Sequence, residues 1–425
     1  MSNLQKRRVV VTGMGVLSPA GFDLDSVFNS VASGSSWVSE NVKFDTSRLK
    51  SRVAATIPEV LLNDPSFESI ISFKERKRIS DFIYYGIIAS HNALQDSGLS
   101  NEQISLIASK FGTYITSGVG GIDIIADAAN NVRASEPKRI SPFVLPSLLI
   151  NLLPGNVAIK FGLKGSSVSH VSACSSSGHS IGEAFLAIKN GQMDYCLAGG
   201  SEAAICDVGV ASFDVMGTLS SNFNHDPKRA SRPLDKNRDG FVISEGSALL
   251  VLETLDSALA RGAKIYAEIT GYAATCDANH ITAPCSSGFS VKNAMLGAMQ
   301  MANVSEKDVD YINLHGTSTP VGDMIELSAV RELFFEKNPG VAISSTKSVT
   351  GHMLGATSAM EAVLTIQSMN KGVSLPNINL EEPEDMCKDM NIITKSSSIN
   401  IKHALSNSFG FGGTNVSLLF SRFEG

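Results

Sequence analysis

Residues 166–203 read SSVSHVSACSSSGHSIGEAFLAIKNGQMDYCLAGGSEA, and this stretch decides the class of fold. Two strand-like runs, 166–173 and 195–203, flank a segment in which apolar residues recur at helical spacing. The helical positions are Ile181, Ala184, Phe185 and Ile188. Gly191 then ends the pattern. A strand, a helix and a second strand in succession predict an α/β unit.

Cys174 stands at the start of this predicted helix, among small residues. Free backbone N–H groups and the positive end of the helix dipole favour a thiolate there, and the same groups could hold an oxyanion. A nucleophilic thiol is therefore one interpretation. A buried structural cysteine is the other, since that is the commonest fate of a lone cysteine. This stretch alone leaves both interpretations open.

The composition excludes several classes of protein. The chain has 425 residues, of which 43% are hydrophobic and 18% charged, so it can bury a large core in two domains or in one duplicated unit. Its net charge of −6 gives no general attraction for nucleic acid or for an anionic membrane. Six cysteines without paired spacing favour a reducing compartment, and no apolar run is long enough to cross a bilayer. We therefore expect a cytoplasmic protein with no nucleic-acid or membrane partner.

Strand-like and helix-like segments alternate along the whole chain, which predicts an α/β architecture throughout. The strand candidates form an earlier and a later group that separate near residue 262 without a flexible linker. We therefore expect two packed halves, residues 1–262 and 263–425. The sequence GMGVLS at 13–18 lacks the third glycine and the acidic partner of a dinucleotide-binding motif, so we expect no nucleotide there.

Two further segments carry candidate catalytic residues. His315 follows a strand-like run, and Lys347 and His352 flank a glycine turn before a helix of small residues. A thiol and two imidazoles indicate nucleophilic chemistry. A Cys–His hydrolase, an acyl-transfer enzyme and a zinc site all stay open on this pattern. Zinc is the weakest, because no two of these ligands have the close spacing of a structural site.

The chain resembles the β-ketoacyl-acyl carrier protein synthases of fatty-acid synthesis. The motifs are SACSSSGHSIGEA, HGTSTPVGD, STKSVTGHMLGA and NSFGFGGTN, which occur in the order of the family and are joined by KRISPF and SRPLDKNRDGFVISEG. The resemblance covers essentially the whole chain and favours type II over type I. It implies the thiolase fold, in which two similar halves with five-stranded sheets stack as α-β-α-β-α layers, and a homodimer. It also implies an acyltransferase without a metal or redox cofactor.

The resemblance assigns roles to the candidate residues. Cys174 takes the acyl chain, and the backbone N–H groups of Cys174 and Phe411 hold the oxyanion. His315 and His352 stabilise the enolate formed when malonyl-carrier protein loses CO₂, while Lys347 supports them electrostatically. Phe411 and Phe409 belong to a gate loop. Glu361 and Asp323 are expected to contact the catalytic residues and hold them in place without touching the substrate.

The resemblance also implies binding residues. Val119 and Phe213 match positions that face the acyl tail, and Thr317 and Thr319 match positions that meet pantetheine. The partner is an acidic acyl carrier protein, so a local basic patch is required on this acidic chain. Candidates for that docking patch are Lys74, Lys77, Arg78, Lys138 and Arg139. Gly217 departs from the family pattern, because type II enzymes often carry an arginine at this position.

Other enzymes of the same fold give competing interpretations. A thiolase would have a second cysteine in the C-terminal loop, but that loop reads NSFGFGGTN and Cys387 lies in a polar segment. A type III synthase would have asparagine in place of His352, and a non-catalytic chain-length factor would lack Cys174. A polyketide-type ketosynthase and an acyl-thioester hydrolase stay open as alternatives.

Overall fold

The computed structural model describes residues 7–134, 138 and 140–425. The strands are β1 (Val9–Leu17), β2 (Ser39–Glu40), β3 (Val53–Ala54), β4 (Phe111–Thr116), β5 (Ser167–Val168), β6 (Tyr195–Glu202), β7 (Gly246–Thr254), β8 (Ala267–Cys276), β9 (Tyr311–Asn313), β10 (Ala342–Ser344), β11 (His403–Gly410) and β12 (Thr414–Ser421). The α-helices are α1 (Leu24–Ala32), α2 (Glu59–Leu62), α3 (Phe73–Arg76), α4 (Asp81–Asp96), α5 (Asn101–Ile107), α6 (Ile122–Arg133), α7 (Val144–Leu148), α8 (Leu152–Phe161), α9 (Ser176–Lys189), α10 (Asp207–Val215), α11 (Leu255–Ala260), α12 (Phe289–Ala302), α13 (Gly322–Phe334), α14 (Lys347–Thr350) and α15 (Thr357–Lys371). Within these ranges, no helix combines the length and the apolar character that a membrane crossing requires.

The main sheet repeats one strand order twice. It runs β10-β9-β11-β12-β8-β1-β7-β6-β4-β5. In the first half, β4 is parallel to β5 and β6, and β7 is antiparallel to β6 and β1. In the second half, β9 is parallel to β10 and β11, and β12 is antiparallel to β11 and β8. The strands of each half can be numbered one to five along the chain, leaving out β2 and β3, which form a separate sheet. In both halves they then lie in the order third, second, fourth, fifth, first. This repeated order confirms the predicted α/β architecture.

The two halves of the sheet share one seam. Val9–Val11 of β1 pair antiparallel with Ala267–Ile269 of β8. The resemblance implies a five-stranded sheet in each half, and here hydrogen bonds also join the two half-sheets to each other. The reason is that β1 and β8 are the edge strands of their halves, and pairing them satisfies N–H and C=O groups that an open edge leaves exposed. The expected boundary at residue 262 falls in the connection between α11 and β8.

Alternating side chains of the strands face different apolar layers. In β7, Leu250 and Leu252 belong to a central core with α9 and α15, while Leu249 and Val251 pack with α4 on the other side. In β12, Leu418 faces the central core and Leu419 packs with α12. The helices α9 and α15 contact strands of both halves, so they form the middle of five α-β-α-β-α layers.

Gly13 and Gly15 allow helix α4 to pack closely against the first strand. A Cβ atom at Gly13 would lie 2.4 Å from the carbonyl oxygen of Ala93, and one at Gly15 would lie 2.1 Å from that of Ala89. Helix α4 can therefore cross β1 closely only because both positions lack side chains. This close approach accounts for the GMG sequence without a nucleotide.

Candidate active site

The turn that carries Cys174 precedes the central helix α9. Cys174 lies in a 3₁₀ turn, Ala173–Ser175, and α9 begins at Ser176, which confirms the predicted helix start. The hydroxyl of Ser175 donates to the carbonyl oxygens of Ser408 (3.0 Å) and Thr414 (2.7 Å). These bonds fasten the turn to the hairpin formed by β11 and β12.

A thiol and two imidazoles meet in this site. The Nε2 atom of His352 lies 3.0 Å from the Cys174 sulfur, and its Nδ1 atom lies 3.0 Å from the hydroxyl of Thr357. The ring centroids of His315 and His352 are 5.5 Å apart at 83°. One ligand atom from each of Cys174, His315 and His352 lies within 4.8 Å of the other two. Sequence spacing was therefore the wrong argument against a metal, because the fold brings together residues that are far apart in the chain.

Glu326 holds the turn that carries His315. Its carboxylate accepts hydrogen bonds from the backbone N–H groups of His315 and Gly316, both at 2.8 Å, and from the Asn407 amide at 3.1 Å. Burial raises the pKa of Glu326 to about 7, although these N–H groups oppose the shift. No motif in the sequence singled out Glu326. Its signal was an acidic side chain at helical spacing from the apolar Ala329, Val330 and Leu333 of helix α13.

Lys347 and Glu361 form a buried ion pair behind the histidines. The ammonium donates to a Glu361 carboxylate oxygen at 2.5 Å, and both side chains are almost completely buried. Burial raises the pKa of Glu361 to about 7, and the Lys347 charge opposes that shift. The Lys347 charge lies close enough to lower the pKa of Cys174, His315 and His352.

Burial decides the protonation states of these groups. It raises the pKa of the Cys174 thiol to about 11, against the lowering effects of Lys347 and of the backbone N–H of Phe411. Burial therefore favours the protonated thiol, because desolvation outweighs the N–H groups that favour a thiolate at a helix start. Burial lowers the pKa of His315 and of His352 well below the ordinary value, and Lys347 acts in the same direction. Both imidazoles are neutral at neutral pH.

The turn between β11 and β12 covers the sulfur. The backbone N–H of Phe411 is hydrogen-bonded to Cys174, and the ring of Phe409 packs edge-on against His315 with centroids 5.7 Å apart. A Cβ atom at Gly410 would lie 2.7 Å from the carbonyl oxygen of Ser172 and 3.1 Å from the amide nitrogen of Cys174. The glycine thus lets the turn approach the nucleophile closely enough for its N–H to reach the sulfur.

A cavity of about 550 Å³ opens onto the three reactive side chains. Val119 and Phe213 line it and belong to an apolar cluster with Phe241 and Leu354. Thr317 and Thr319 line another part, with their hydroxyls 3.1 Å apart. The four predicted substrate-binding residues therefore share one cavity with Cys174, His315, His352, Phe409 and Phe411.

Asp323 lies behind this cavity and does not line it. Its carboxylate accepts from the backbone N–H groups of Ser318 (3.1 Å) and Leu234 (3.0 Å), and it pairs with Arg238 at 3.4 Å. Burial raises its pKa to about 6. Ser318 has a φ of 72°, in the left-handed region, so Asp323 holds a strained turn between the two threonines.

The predicted docking residues lie away from the cavity lining. Lys74, Lys77, Arg78 and Lys138 are exposed and do not line the cavity, and Arg139 lies outside the described residues. The Lys77 ammonium sits 4.1 Å from the ring centroid of Phe73, and the Arg78 guanidinium 4.9 Å from that of Phe143. Cys387 is buried in a separate apolar cluster, so it does not supply the second active-site thiol of a thiolase.

Comparison with known proteins identifies the family. The family "Beta-ketoacyl synthase, N-terminal domain" matches residues 6–258, and "Beta-ketoacyl synthase, C-terminal domain" matches residues 266–381. The 3-oxoacyl-[acyl-carrier-protein] synthase 2 of Synechocystis sp. is 39% identical over 424 residues, which is 100% of both chains.

Two solved structures share the fold. A β-ketoacyl synthase from Burkholderia phymatum has a TM-score of 0.90 and 32% identity, covering 98% of this chain and 100% of its own. A type II polyketide ketosynthase in complex with its acyl carrier protein has a TM-score of 0.89 and 30% identity, covering 99% and 100%. These matches confirm the thiolase fold, and the chain belongs to the β-ketoacyl synthase family as an acyltransferase of the 3-oxoacyl-[acyl-carrier-protein] synthase class.

Proposed function

We propose that this enzyme elongates fatty-acyl chains by condensing malonyl-acyl carrier protein with an acyl chain held on Cys174. The observation that carries the proposal is the contact of 3.0 Å between the Cys174 sulfur and His352, with His315 beside them at one wall of the cavity. Each cycle adds two carbons and releases CO₂.

In the first half-reaction, the Cys174 sulfur attacks the thioester carbonyl of acyl-carrier protein. Because the thiol is protonated at rest, its proton moves to Nε2 of neutral His352 as the carbon–sulfur bond forms. The backbone N–H groups of Cys174 and Phe411 hold the oxyanion. The intermediate then collapses, and the carrier sulfur leaves as a thiol after taking that proton.

In the second half-reaction, malonyl-carrier protein enters the emptied site. Neutral His315 and His352 donate hydrogen bonds to its thioester carbonyl, where negative charge develops as the carboxylate leaves as CO₂. The enolate carbon attacks the acyl-Cys174 carbonyl and forms the new carbon–carbon bond. The Cys174 sulfur is the leaving group and is reprotonated with one proton that comes from water, while the 3-oxoacyl chain stays on the carrier.

Replacement of the nucleophile tests this assignment. Incubation of wild type with acyl- and malonyl-carrier protein should give the 3-oxoacyl product and CO₂, whereas release of free acid would indicate a hydrolase. Cys174→Ala should show no acyl adduct by mass spectrometry while its fold is retained. An adduct that survives in the variant would exclude Cys174. Cys276→Ser is the matched control, since Cys276 is an exposed thiol outside the cavity lining.

We further propose that an acyl carrier protein docks on the basic residues Lys74, Lys77, Arg78, Lys138 and Arg139. Lys77→Glu with Arg78→Glu should raise KM for acyl-carrier protein and leave kcat nearly unchanged, and added salt should act in the same way. Lys388→Glu with Lys395→Glu is the matched control, because it makes the same charge change at exposed lysines in the C-terminal half. Equal effects of the two double variants would contradict a docking patch.

A polyketide-type ketosynthase is the second candidate, favoured by the structural similarity to a ketosynthase whose carrier complex contains a hexaketide. The primer distinguishes the two functions. A fatty-acid synthase prefers a fully reduced acyl chain, whereas a polyketide enzyme extends an unreduced 3-oxoacyl chain. We expect higher kcat/KM for the reduced primer, and the opposite order would favour the polyketide function.

We also propose a homodimer. Strand β5 is one end of the sheet, and exposed apolar side chains, including Val171, Leu145 and Leu149, occur in the segments around it. A bare sheet edge with apolar neighbours favours association with a second copy. Light scattering should give twice the chain mass, and Val171→Glu with Leu145→Glu should lower it. An unchanged mass would place the interface elsewhere.

We propose a cytoplasmic location for the enzyme. All six cysteines are free thiols, including the buried Cys196 and Cys387, as expected in a reducing compartment. Fractionation of cells that produce the protein would test this, with recovery outside the cytosolic fraction as the contrary result.

A further inference from the structure

The hydroxyl of Thr357 contacts the ring nitrogen of His352 that does not contact Cys174. Thr357 is the first residue of the central helix α15, and its side chain is buried. Its hydroxyl lies 3.0 Å from Nδ1 of His352, while Nε2 of the same ring lies 3.0 Å from the Cys174 sulfur. Across the described part of the chain, this hydroxyl is the hydrogen-bond partner of Nδ1.

The two half-reactions need opposite forms of the neutral imidazole. To accept the thiol proton, Nε2 must present a lone pair, so Nδ1 carries the hydrogen. To stabilise the enolate, Nε2 must carry the hydrogen, so Nδ1 presents a lone pair. A neutral imidazole has one N–H, so one fixed tautomer can serve only one of these steps.

A hydroxyl can partner both tautomers, because it both donates and accepts hydrogen bonds. A backbone N–H or a carbonyl at the same place would match only one tautomer. We propose that Thr357 is a positioning residue that satisfies Nδ1 in both tautomers of His352, so that one imidazole serves both half-reactions. This inference rests on the proposed function.

The protons balance over the cycle. At rest, Nδ1–H donates to the Thr357 oxygen and Nε2 accepts from the thiol. After acylation, the carrier sulfur has taken the proton from Nε2 and left as a thiol. Water in the open cavity then delivers a proton to Nε2 and removes one from Nδ1, and the Thr357 hydroxyl rotates to donate to Nδ1. When condensation releases the Cys174 sulfur, Nε2–H protonates it and Nδ1 takes a proton from water, which returns the ring to its resting tautomer. The ring gains no net proton, and each cycle consumes one proton from water because a carboxylate is lost as CO₂.

The neighbouring hydroxyl has a different contact and supplies a control. Ser358 donates to the carbonyl oxygen of Cys174 at 3.3 Å and to the hydroxyl of Ser408 at 2.6 Å. Ser358→Ala therefore removes a hydroxyl from the same helix turn without removing the partner of His352. Thr357→Val removes the hydroxyl from His352 while keeping the branched shape, and Thr357→Ser keeps the hydroxyl.

Kinetics of the separate half-reactions form the first test. Acylation of Cys174 and CO₂ release by the pre-acylated enzyme are measured for each variant. Thr357→Val should slow both steps by about tenfold to a hundredfold, since a buried ring nitrogen loses its partner in each tautomer. Thr357→Ser should restore both steps to within a few-fold, and Ser358→Ala should not reproduce the loss. If Thr357→Val acylates and releases CO₂ at wild-type rates, or if only one of the two steps is slower, then Thr357 does not serve both half-reactions.

The tautomer itself is the second test, and it does not require the valine variant to fold. Nitrogen NMR of ¹⁵N-histidine-labelled enzyme, with His352 assigned from His352→Gln, reports the protonated nitrogen. We expect Nδ1–H in the thiol form and Nε2–H after Cys174 is alkylated with iodoacetamide. The same tautomer in both forms would overturn the proposal. If wild type is never acylated by acyl-carrier protein, the proposed function fails, and this measurement still decides whether His352 changes tautomer.

Discussion

We expect Val119 to limit the length of acyl chain that the cavity accepts, so that a larger side chain at this position should shorten that length. Its side chain is half-buried at the apolar part of the cavity, and its backbone N–H donates to the buried carboxylate of Glu202 at 3.3 Å. The neighbouring Gly118 donates to the same carboxylate at 2.8 Å. Because these bonds fix the backbone, the ring in Val119→Phe must extend into the cavity.

The size of the effect follows from the displaced volume. Phenylalanine adds about four carbon atoms, which exclude about four methylene groups of a long acyl chain, at about 0.8 kcal/mol each. The loss is about 3 kcal/mol, or roughly two orders of magnitude in kcat/KM for long primers, with little change for short ones.

The assay is a series of kcat/KM values over acyl chain length for wild type and Val119→Phe. Val321→Phe is the matched control, since Val321 lines the same cavity but is 60% exposed. It should affect all chain lengths alike. Equal losses at every length in Val119→Phe would refute the reasoning.

Three further predictions concern the reactive groups. His315→Ala should lower malonyl decarboxylation by about 10²–10³ while Cys174 is still acylated, and normal CO₂ release would remove His315 from the enolate site. Because the pKa of both histidines lies well below the ordinary value, their neutral forms persist as pH falls. The two imidazoles should therefore stay neutral from about pH 8 to about pH 6, a range in which the buried Glu326 and Glu361 titrate instead. Nitrogen NMR of the two histidines checks this, and an imidazole half-protonated near about pH 6.5 would contradict it. Lys347→Met leaves the buried Glu361 carboxylate without its ion-pair partner. It should lower the free energy of unfolding, measured in urea, by about 3–5 kcal/mol. Adding Glu361→Gln should restore most of that stability but not activity, and an unchanged unfolding curve for Lys347→Met would contradict the buried pair.

The sequence was sufficient for the local part of the site. The helical spacing after Cys174 predicted α9, and α9 begins two residues beyond it. Motif resemblance selected Cys174, His315, His352 and Lys347, because short signatures persist where the chemistry constrains each position. Glu326 was not predicted as a site residue because it acts by accepting hydrogen bonds from backbone N–H groups. No pattern in the sequence indicates which backbone groups the side chain of a helix residue will contact.

By itself, the sequence determined the α/β class, the helix start at Cys174 and the motifs that carry the family resemblance, since periodicity and short motifs are local properties of a chain. Only the tertiary structure decided the rest. It joined the two half-sheets through β1 and β8, and it brought Cys174, His315 and His352 within 4.8 Å of one another. It also left the thiol protonated at rest. The physical reason is burial: desolvation depends on what surrounds a group in space, and in this site it outweighs the helix N–H groups that the local sequence provides.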